Sequence, residues 1–135
     1  DRLLPTAVEE LLRWTSPVIN FRRTVTRDTE LRGQKLREGD RVVLLYPSAN
    51  RDEERFPEAD RFRVDRSPNP HIAFGVGNHF CLGSNLARLE ITLMLRELIR
   101  RLPDLQLAPG RAPEYLPSAF VRGVARAPVV FTPGG

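Results

Sequence analysis

The 135-residue sequence is poor in cysteine and lysine and has no long apolar run. Its single cysteine, Cys81, excludes an internal disulfide, which fits a reducing compartment such as the cytoplasm. No apolar stretch approaches the roughly 20 residues that a membrane-spanning helix needs. The opening residues also lack the apolar core of a signal peptide. We therefore expect a globular, cytoplasmic chain with no membrane segment in this portion.

Positive charge comes almost entirely from arginine, because Lys35 is the only lysine. The formal net charge is +4 at pH 7. The arginines are interleaved with aspartate and glutamate along the chain, and they form no basic stripe of the kind that binds nucleic acid. We therefore expect no nucleic-acid partner.

The lone cysteine lies in a glycine-rich stretch, residues 74–83, with the sequence FGVGNHFCLG. Apolar residues with helical spacing follow over residues 84–101. A cysteine just before a helix lies at the positive end of the helix dipole, which favours the thiolate, the form that binds metals. Gly75 allows a backbone turn that a side chain would hinder, and Gly83 allows a flat partner to come close. By itself, however, a single cysteine is more often a small buried apolar residue.

Two charged residues share a face of a shorter predicted helix, residues 6–14. Glu10 and Arg13 are three positions apart, the spacing at which side chains on a helix meet. Taken alone, this spacing is typical of an exposed ion pair that contributes little to stability.

In combination, these motifs resemble those of the cytochrome P450 family. Residues 74–83 match the family's haem-ligand loop at its fixed positions, which are Phe74, Gly77, Cys81 and Gly83. The segment from Glu10 to Arg13 resembles the family's Glu-x-x-Arg motif, and Arg61 matches the arginine of a downstream loop. The resemblance implies a buried network of Glu10, Arg13 and Arg61 that supports the core beside the haem.

The resemblance also implies how the cofactor, haem b, is held. Cys81 would bind the haem iron as a thiolate, and Arg23 and His79 would pair with haem propionates. Arg23 is preferred to Arg22 by its spacing, and strand alternation sends these two side chains to opposite faces. His71 is expected to make a local contact rather than bind a metal. The residues expected to contact the cofactor are Arg23, Phe74, Gly75, His79, Cys81 and Gly83.

The activity that the resemblance implies is that of a haem-thiolate monooxygenase, which inserts one oxygen atom from O₂ into a C–H bond of a hydrophobic small molecule. Electrons would come from a ferredoxin or another redox partner, and a basic surface would steer an acidic partner. The chain most resembles bacterial members that act on sterols or branched lipids. Val18, Ile19 and Phe120 are candidate substrate contacts, although plain core packing explains the first two equally well.

The predicted fold is α+β, with two main helices, small β-sheets and the haem-ligand loop, inside the mainly helical fold of the family. Strands are expected over residues 18–26 and 41–46, a hairpin around Gly33, a short helix over residues 48–51, and short strands after Pro103. The helix over residues 84–101 carries an apolar stripe that we expect to pack into the core under the haem. The stripe consists of Leu86, Leu89, Leu93, Leu98 and Leu102, widened by Ile91, Met94 and Leu95.

The chain does not begin with Met, and its first residues lead directly into a predicted helix. We expect residues 1–135 to be the C-terminal haem-binding portion of a single cytochrome P450 domain. The long distal helix with its acid–alcohol pair would lie upstream, so this portion alone is expected to be inactive.

Two alternatives remain open from the sequence. The chain would also suit a haem-binding or electron-transfer module without oxygenation, or a catalytically dead truncated fragment. A peroxide-using or dehydrating haem-thiolate enzyme would share every residue named above.

Overall fold

The structure is a computed structural model that describes residues 2–132. Its helices are α1 (Leu4–Thr15), α2 (Tyr46–Ala49) and α3 (Ser84–Arg101), with one 3₁₀ turn at Gly77–His79. Its strands are β1 (Asn20–Thr24), β2 (Thr29–Leu31), β3 (Gln34–Leu36), β4 (Arg41–Leu45), β5 (Gln106–Leu107), β6 (Glu114–Tyr115), β7 (Val124–Arg126) and β8 (Val129–Val130). The α+β prediction is confirmed, and α3 has the predicted bounds.

Helix α1 begins two residues earlier and ends one residue later than the sequence predicts. At its start, the Leu3 carbonyl accepts the backbone N–H of Ala7 at 2.9 Å and the Thr6 hydroxyl at 3.0 Å. At its end, Ser16 adopts a left-handed φ of 41°, and its N–H donates to the Leu12 carbonyl. The Ala7 and Ser16 bonds extend the i→i+4 pattern of the helix to the residues that flank it, Leu3 and Ser16.

The strands of the first half form two antiparallel pairs. Strand β1 pairs with β4, with Asn20 opposite Leu45. Strand β2 pairs with β3 across a two-residue turn in which Arg32 and Gly33 have φ values of 48° and 80°. Two successive positive φ values match the twist of a tight hairpin, so the hairpin predicted around Gly33 is confirmed.

The C-terminal strands also form antiparallel pairs, β5 with β8 and β6 with β7. The loop between β6 and β7 is bonded to the segment that leads from α1 into β1. Val18 forms an isolated bridge with Val121, and the Ile19 N–H donates to the Phe120 carbonyl at 2.8 Å. The predicted strand over residues 18–26 is therefore shorter, because its first residues pair with this loop instead.

A small apolar core joins α1, the segment before the cysteine and α3. Val8, Leu12 and Ala73 are its buried members, and Phe74, Ile91 and Leu95 pack against them. No helix in the described part of the chain is long and apolar enough to cross a membrane.

The prediction that the whole apolar stripe of α3 packs into the core is wrong for this chain. Only Ile91 and Leu95 face the core, because they lie on the side of the helix that meets α1. The rest of the stripe is largely exposed within residues 2–132, since α1 covers one side of α3 only. The exposed members are Leu86, Leu89, Leu93, Met94 and Leu98.

Candidate functional site

The glycine-rich stretch, called here the thiol loop (residues 74–83), is a closed turn that presents Cys81. Gly75 and Gly77 have φ values of 74° and 69°, a left-handed conformation that suits glycine. The Cys81 N–H donates to the Phe74 carbonyl at 2.9 Å, which ties the two ends of the loop together. The Ser84 N–H then donates to the Cys81 carbonyl at 3.2 Å as α3 begins.

The two glycines predicted to matter for backbone approach differ in their surroundings. A Cβ on Gly75 would lie 3.3 Å from the Tyr46 hydroxyl and 3.5 Å from the His79 carbonyl. A Cβ on Gly83 would meet no described atom within 4 Å. Gly75 is therefore needed for the loop's own packing, whereas the backbone at Gly83 is open to close approach by a flat partner.

Cys81 is exposed and lines an apolar cleft, called here the thiol cleft. The cleft has a volume of about 300 Å³. Its walls come from α1, β1, α2 and the thiol loop, so the sole cysteine is presented to a surface rather than packed in the core. The lining residues are Leu12, Pro17, Val18, Phe21, Tyr46, Ala73, Phe74, His79 and Cys81.

The two predicted propionate partners are placed differently. His79 lines the thiol cleft beside Cys81. Arg23 does not line it, and its exposed guanidinium donates to the Arg22 carbonyl at 3.0 Å. Phe21 does line the cleft, and alternation along β1 gives Arg23 the same face as Phe21 and gives Arg22 the opposite one. This alternation supports the choice of Arg23, whose role stays a prediction.

The three candidate substrate contacts are brought into one neighbourhood. Val18 lines the thiol cleft. Phe120 packs edge-to-face on Phe21, with ring centroids 5.5 Å apart, and its carbonyl accepts the Ile19 N–H. The β6–β7 loop therefore reaches the edge of the cleft.

Behind the loop, Glu10 and Arg13 form a buried ion pair whose side chains are 0% exposed. The Arg13 guanidinium donates to both Glu10 oxygens at 2.7 Å. It also donates to the carbonyls of Asn50, Ala59 and Arg61. An ordinary surface pair is therefore excluded, and one side chain holds the segment over residues 50–61 against α1.

The prediction that the Arg61 side chain completes this network is wrong. The Arg61 guanidinium is 71% exposed and pairs with Glu58, three residues earlier. Arg66 is the buried partner: its Nε lies 3.2 Å and 3.1 Å from the two Glu10 oxygens. Arg61 contributes only its carbonyl, which accepts from Arg13 and Arg66. The nearby Glu58 was the sequence signal that Arg61 would be held at the surface.

The charge of Glu10 is stabilised despite its position. Burial alone would raise the pKa of Glu10, because a carboxylate loses water there. Hydrogen bonds from Arg13, the Arg63 N–H and Arg66 outweigh that penalty and lower the pKa to about 2. The buried network of Glu10, Arg13 and Arg66 is thus ionised at neutral pH.

A second cluster, which the sequence did not predict, lies on the other side of α1 and is called here the Glu9 clamp. Glu9 Oε1 accepts from Arg88 Nε at 2.6 Å, and Glu9 Oε2 accepts from Arg88 at 2.9 Å. His71 Nε2 lies 3.0 Å from the same Oε2. The expectation of a local contact for His71 is confirmed, and Arg88 is half-buried in the same cluster.

Charge and aromatic contacts extend the clamp to the thiol loop. The Arg88 guanidinium lies 4.7 Å from the ring centroid of Phe74. The hydrogen bond from Arg88 lowers the pKa of Glu9. Burial lowers the pKa of His71, although Glu9 acts in the opposite direction. Glu9 is therefore ionised and His71 is neutral near pH 7.

An exposed thiol beside an apolar cleft suits the binding of a haem iron through sulfur. A family profile described as Cytochrome P450 matches residues 2–129. The chain therefore belongs to the cytochrome P450 family.

Similar proteins agree with this assignment. A steroid C26-monooxygenase of Mycolicibacterium smegmatis is 55% identical over 131 residues, which cover 97% of this chain and 33% of the relative. A methyl-branched lipid omega-hydroxylase of Mycobacterium bovis is 50% identical over 98% of this chain and 31% of its own length. The chain thus spans about a third of the length of these curated relatives.

A solved structure shows the same fold. CYP109E1 from Bacillus megaterium, in complex with testosterone, superposes with a TM-score of 0.90 at 44% identity. The match covers 96% of this chain and 36% of that one. The resemblance to bacterial cytochrome P450 proteins is confirmed.

The residues of the site fit a haem. The thiol is a suitable iron ligand, and His79 on the same cleft can donate a hydrogen bond to a carboxylate. Leu82, next to the thiol, is 101% exposed, and Phe80 is half-exposed, so the loop offers apolar surface for a flat apolar partner. The open space at Gly83 agrees with that fit.

Proposed function

We propose that this chain supplies the haem-binding portion of a cytochrome P450 monooxygenase, with Cys81 as the thiolate ligand of haem b. The enzyme inserts one atom of O₂ into a C–H bond of a hydrophobic small molecule. The observation that carries the proposal is the exposed Cys81 thiol, presented by the thiol loop to an apolar cleft.

Each proposed haem contact has a defined task. Cys81 holds the iron, while His79 and Arg23 pair with the propionates and so fix the orientation of the ring. Phe74, Gly75 and Gly83 shape the backbone on which the ring rests. When bound, the haem supplies oxygen activation, and a thiolate ligand favours cleavage of the O–O bond. The protein's own contribution is to orient cofactor and substrate and to exclude water.

The proposed substrate is a sterol or a branched lipid. The names of the steroid and methyl-branched lipid relatives support that class. Val18, Ile19 and Phe120 would contact the substrate from the β6–β7 side of the cleft, with Phe120 braced on Phe21.

The proposed electron donor is a ferredoxin or another acidic redox protein. The net charge of +4 supports this, since opposite charge raises the rate of encounter. A rate of reduction that falls as salt rises would agree with such steering.

The test is the absorption spectrum of the reduced, carbon-monoxide-bound protein after haem addition. We expect a strongly red-shifted main band in the wild-type chain, and its loss in Cys81→Ala because the sulfur ligand is gone. Ser48→Ala is a matched control, since it also removes one heavy atom, and Ser48 is an exposed residue that does not line the thiol cleft. The control should keep the band.

Other outcomes separate the alternatives. A band that does not change when a sterol or branched lipid is added would favour a haem module without oxygenation. A wild-type chain that folds but binds no haem, or a band that persists in Cys81→Ala, would contradict the proposal.

A further inference from the structure

One carboxylate, that of Glu9, contacts both flanks of the thiol loop. His71 lies three residues before the loop begins, and Arg88 lies five residues after it ends. Both side chains meet Glu9, and Arg88 in addition covers the face of Phe74. The Phe74 carbonyl in turn accepts the Cys81 N–H. A continuous set of contacts therefore runs from α1 to the residue that carries the thiol.

We propose that Glu9, acting through His71 and Arg88, is a positioning residue that holds the thiol loop in the shape needed for Cys81 to ligate haem iron. The inference rests on the proposed role of Cys81, but the loop geometry that it predicts does not depend on bound haem. Glu9 makes no contact with Cys81, so its effect on the thiol is indirect.

The hydrogen bonds fix the tautomer of His71. Its Nδ1 accepts the Ala73 N–H at 3.2 Å, so the proton of the neutral ring lies on Nε2. The Nε2–H then donates to Glu9, an acceptor. Neutral His71 is thus a bridge between Glu9 and the backbone directly before Phe74. Protonation of Nδ1 would remove that acceptor and release the Ala73 N–H.

The surroundings of His71 oppose that protonation at neutral pH. Glu9 and Arg13 face it from α1, and Arg88 faces it from α3. Burial and the two arginines disfavour the cation, while Glu9 favours it. The pKa of His71 is therefore below its usual 6.5, and acid loosens the loop only below that pH.

The direct test is amide hydrogen exchange over residues 72–83, measured by mass spectrometry on the chain without haem. In Glu9→Gln and in Arg88→Gln we expect exchange there to be about tenfold faster, since hydrogen bonds to charged groups are lost. Glu97→Gln is the matched control, because Glu97 also pairs with arginines on α3 but far from the loop. Residues 50–66 serve as the internal reference for global opening.

A rise confined to residues 72–83 supports the proposal. Unchanged exchange, or an equal rise in residues 50–66, overturns it, because the second result means general destabilisation. After correction for intrinsic exchange rates, wild-type protection of the loop should fall below pH 6.5, and His71→Asn should abolish that pH dependence. Wild-type protection that stays constant as pH falls from 7 through the range in which the chain remains folded would also overturn the proposed bridge.

The carbon-monoxide spectrum separates this inference from the proposed function. If the wild-type band is present and loop exchange is unaffected by Glu9→Gln, the positioning role fails and Cys81 ligation stands. If the loop responds as expected and no wild-type band forms, the positioning of the loop stands and the haem proposal fails. If both hold, the haem-loaded Glu9→Gln protein should lose its red-shifted band faster than the Glu97→Gln control.

Discussion

Two neighbouring carboxylates of α1 serve two different regions of the molecule. Glu10 points into the segment over residues 50–66 and is fully buried by Arg13 and Arg66. Glu9 points towards α3 and the thiol loop and is partly exposed between Arg88 and His71. Successive residues on a helix are about 100° apart, so a single turn of α1 serves both regions.

The difference separates stability from positioning. Removing a partner from a fully buried ion pair leaves an uncompensated charge that water cannot reach. Removing a partner from a partly exposed cluster leaves groups that water can solvate, so the loss is smaller and local. We therefore expect the Glu10 region to control whether the chain folds, and the Glu9 region to control the shape of the thiol loop.

The largest effect is expected for Glu10→Gln. The change leaves Arg13 and Arg66 buried without a counter-charge, and it should cost about 3–5 kcal/mol of unfolding free energy. Urea unfolding followed by circular dichroism measures the loss. Glu9→Gln is the matched comparison and should cost about 0.5 kcal/mol or less, because the loss is confined to local opening of the thiol loop. Equal losses would remove the distinction between the two regions.

The next largest effect is a difference in unfolding free energy between variants of two arginines in the loop over residues 56–66. Arg66→Ala should cost about 3 kcal/mol, because Glu10 loses a buried partner and nearby carbonyls lose a donor. Arg61→Ala should cost about 0.5 kcal/mol or less, since its side chain is exposed. The same urea experiment checks both variants. If Arg61→Ala lost more unfolding free energy than Arg66→Ala, the predicted network of Glu10, Arg13 and Arg61 would be supported and the structure contradicted.

Acid should weaken the Glu10 region in a defined window. The folded-state pKa of Glu10, about 2, lies below its usual 4.5, so the unfolded chain binds a proton first as pH falls. The stabilisation is complete above pH 4.5 and is lost between pH 4.5 and about 2. Unfolding free energies measured across that range should fall in the wild type. The fall should be shallower in Glu10→Gln. Parallel plots of unfolding free energy against pH for the two proteins would show that ionised Glu10 is not the source of the acid-sensitive stability.

The smallest difference is expected between two glycines of the thiol loop. Both Gly75→Ala and Gly77→Ala place a Cβ at positive φ, which costs about 1–2 kcal/mol. Gly75→Ala should cost more, because its Cβ also meets the Tyr46 hydroxyl at 3.3 Å, whereas Gly77 has no described atom within 4 Å. Thermal unfolding measures the difference. A greater loss for Gly77→Ala would mean that the packing on Tyr46 does not constrain the loop.

Local patterns in the sequence predicted much of this structure. The helical spacing after residue 83 predicted α3 with its observed bounds, and Gly33 predicted a hairpin, because both depend on neighbouring residues. Strand ends were less predictable, since Val18 pairs with Val121, which is distant in the sequence. The pairing of β1 with β4 likewise determines where β1 begins.

The partners of buried charges depended on contacts that spacing does not determine. Arg61, Arg63 and Arg66 all lie within six residues, and the chain path selects Arg66 for Glu10 at a separation of 56 positions. The Glu9 clamp joins three elements and follows no short motif. The thiol loop was predictable because its glycines and its cysteine lie close together in the sequence. His79 lines the thiol cleft, as expected, while its contact with haem stays a prediction.

The most direct test of the central claim is X-ray absorption at the iron edge of the haem-loaded protein, compared between wild type and Cys81→Ala. The account predicts a sulfur neighbour of iron in the wild type and its loss in the variant, with the ring nitrogens unchanged. A wild-type spectrum that contains only nitrogen or oxygen neighbours would contradict Cys81 ligation.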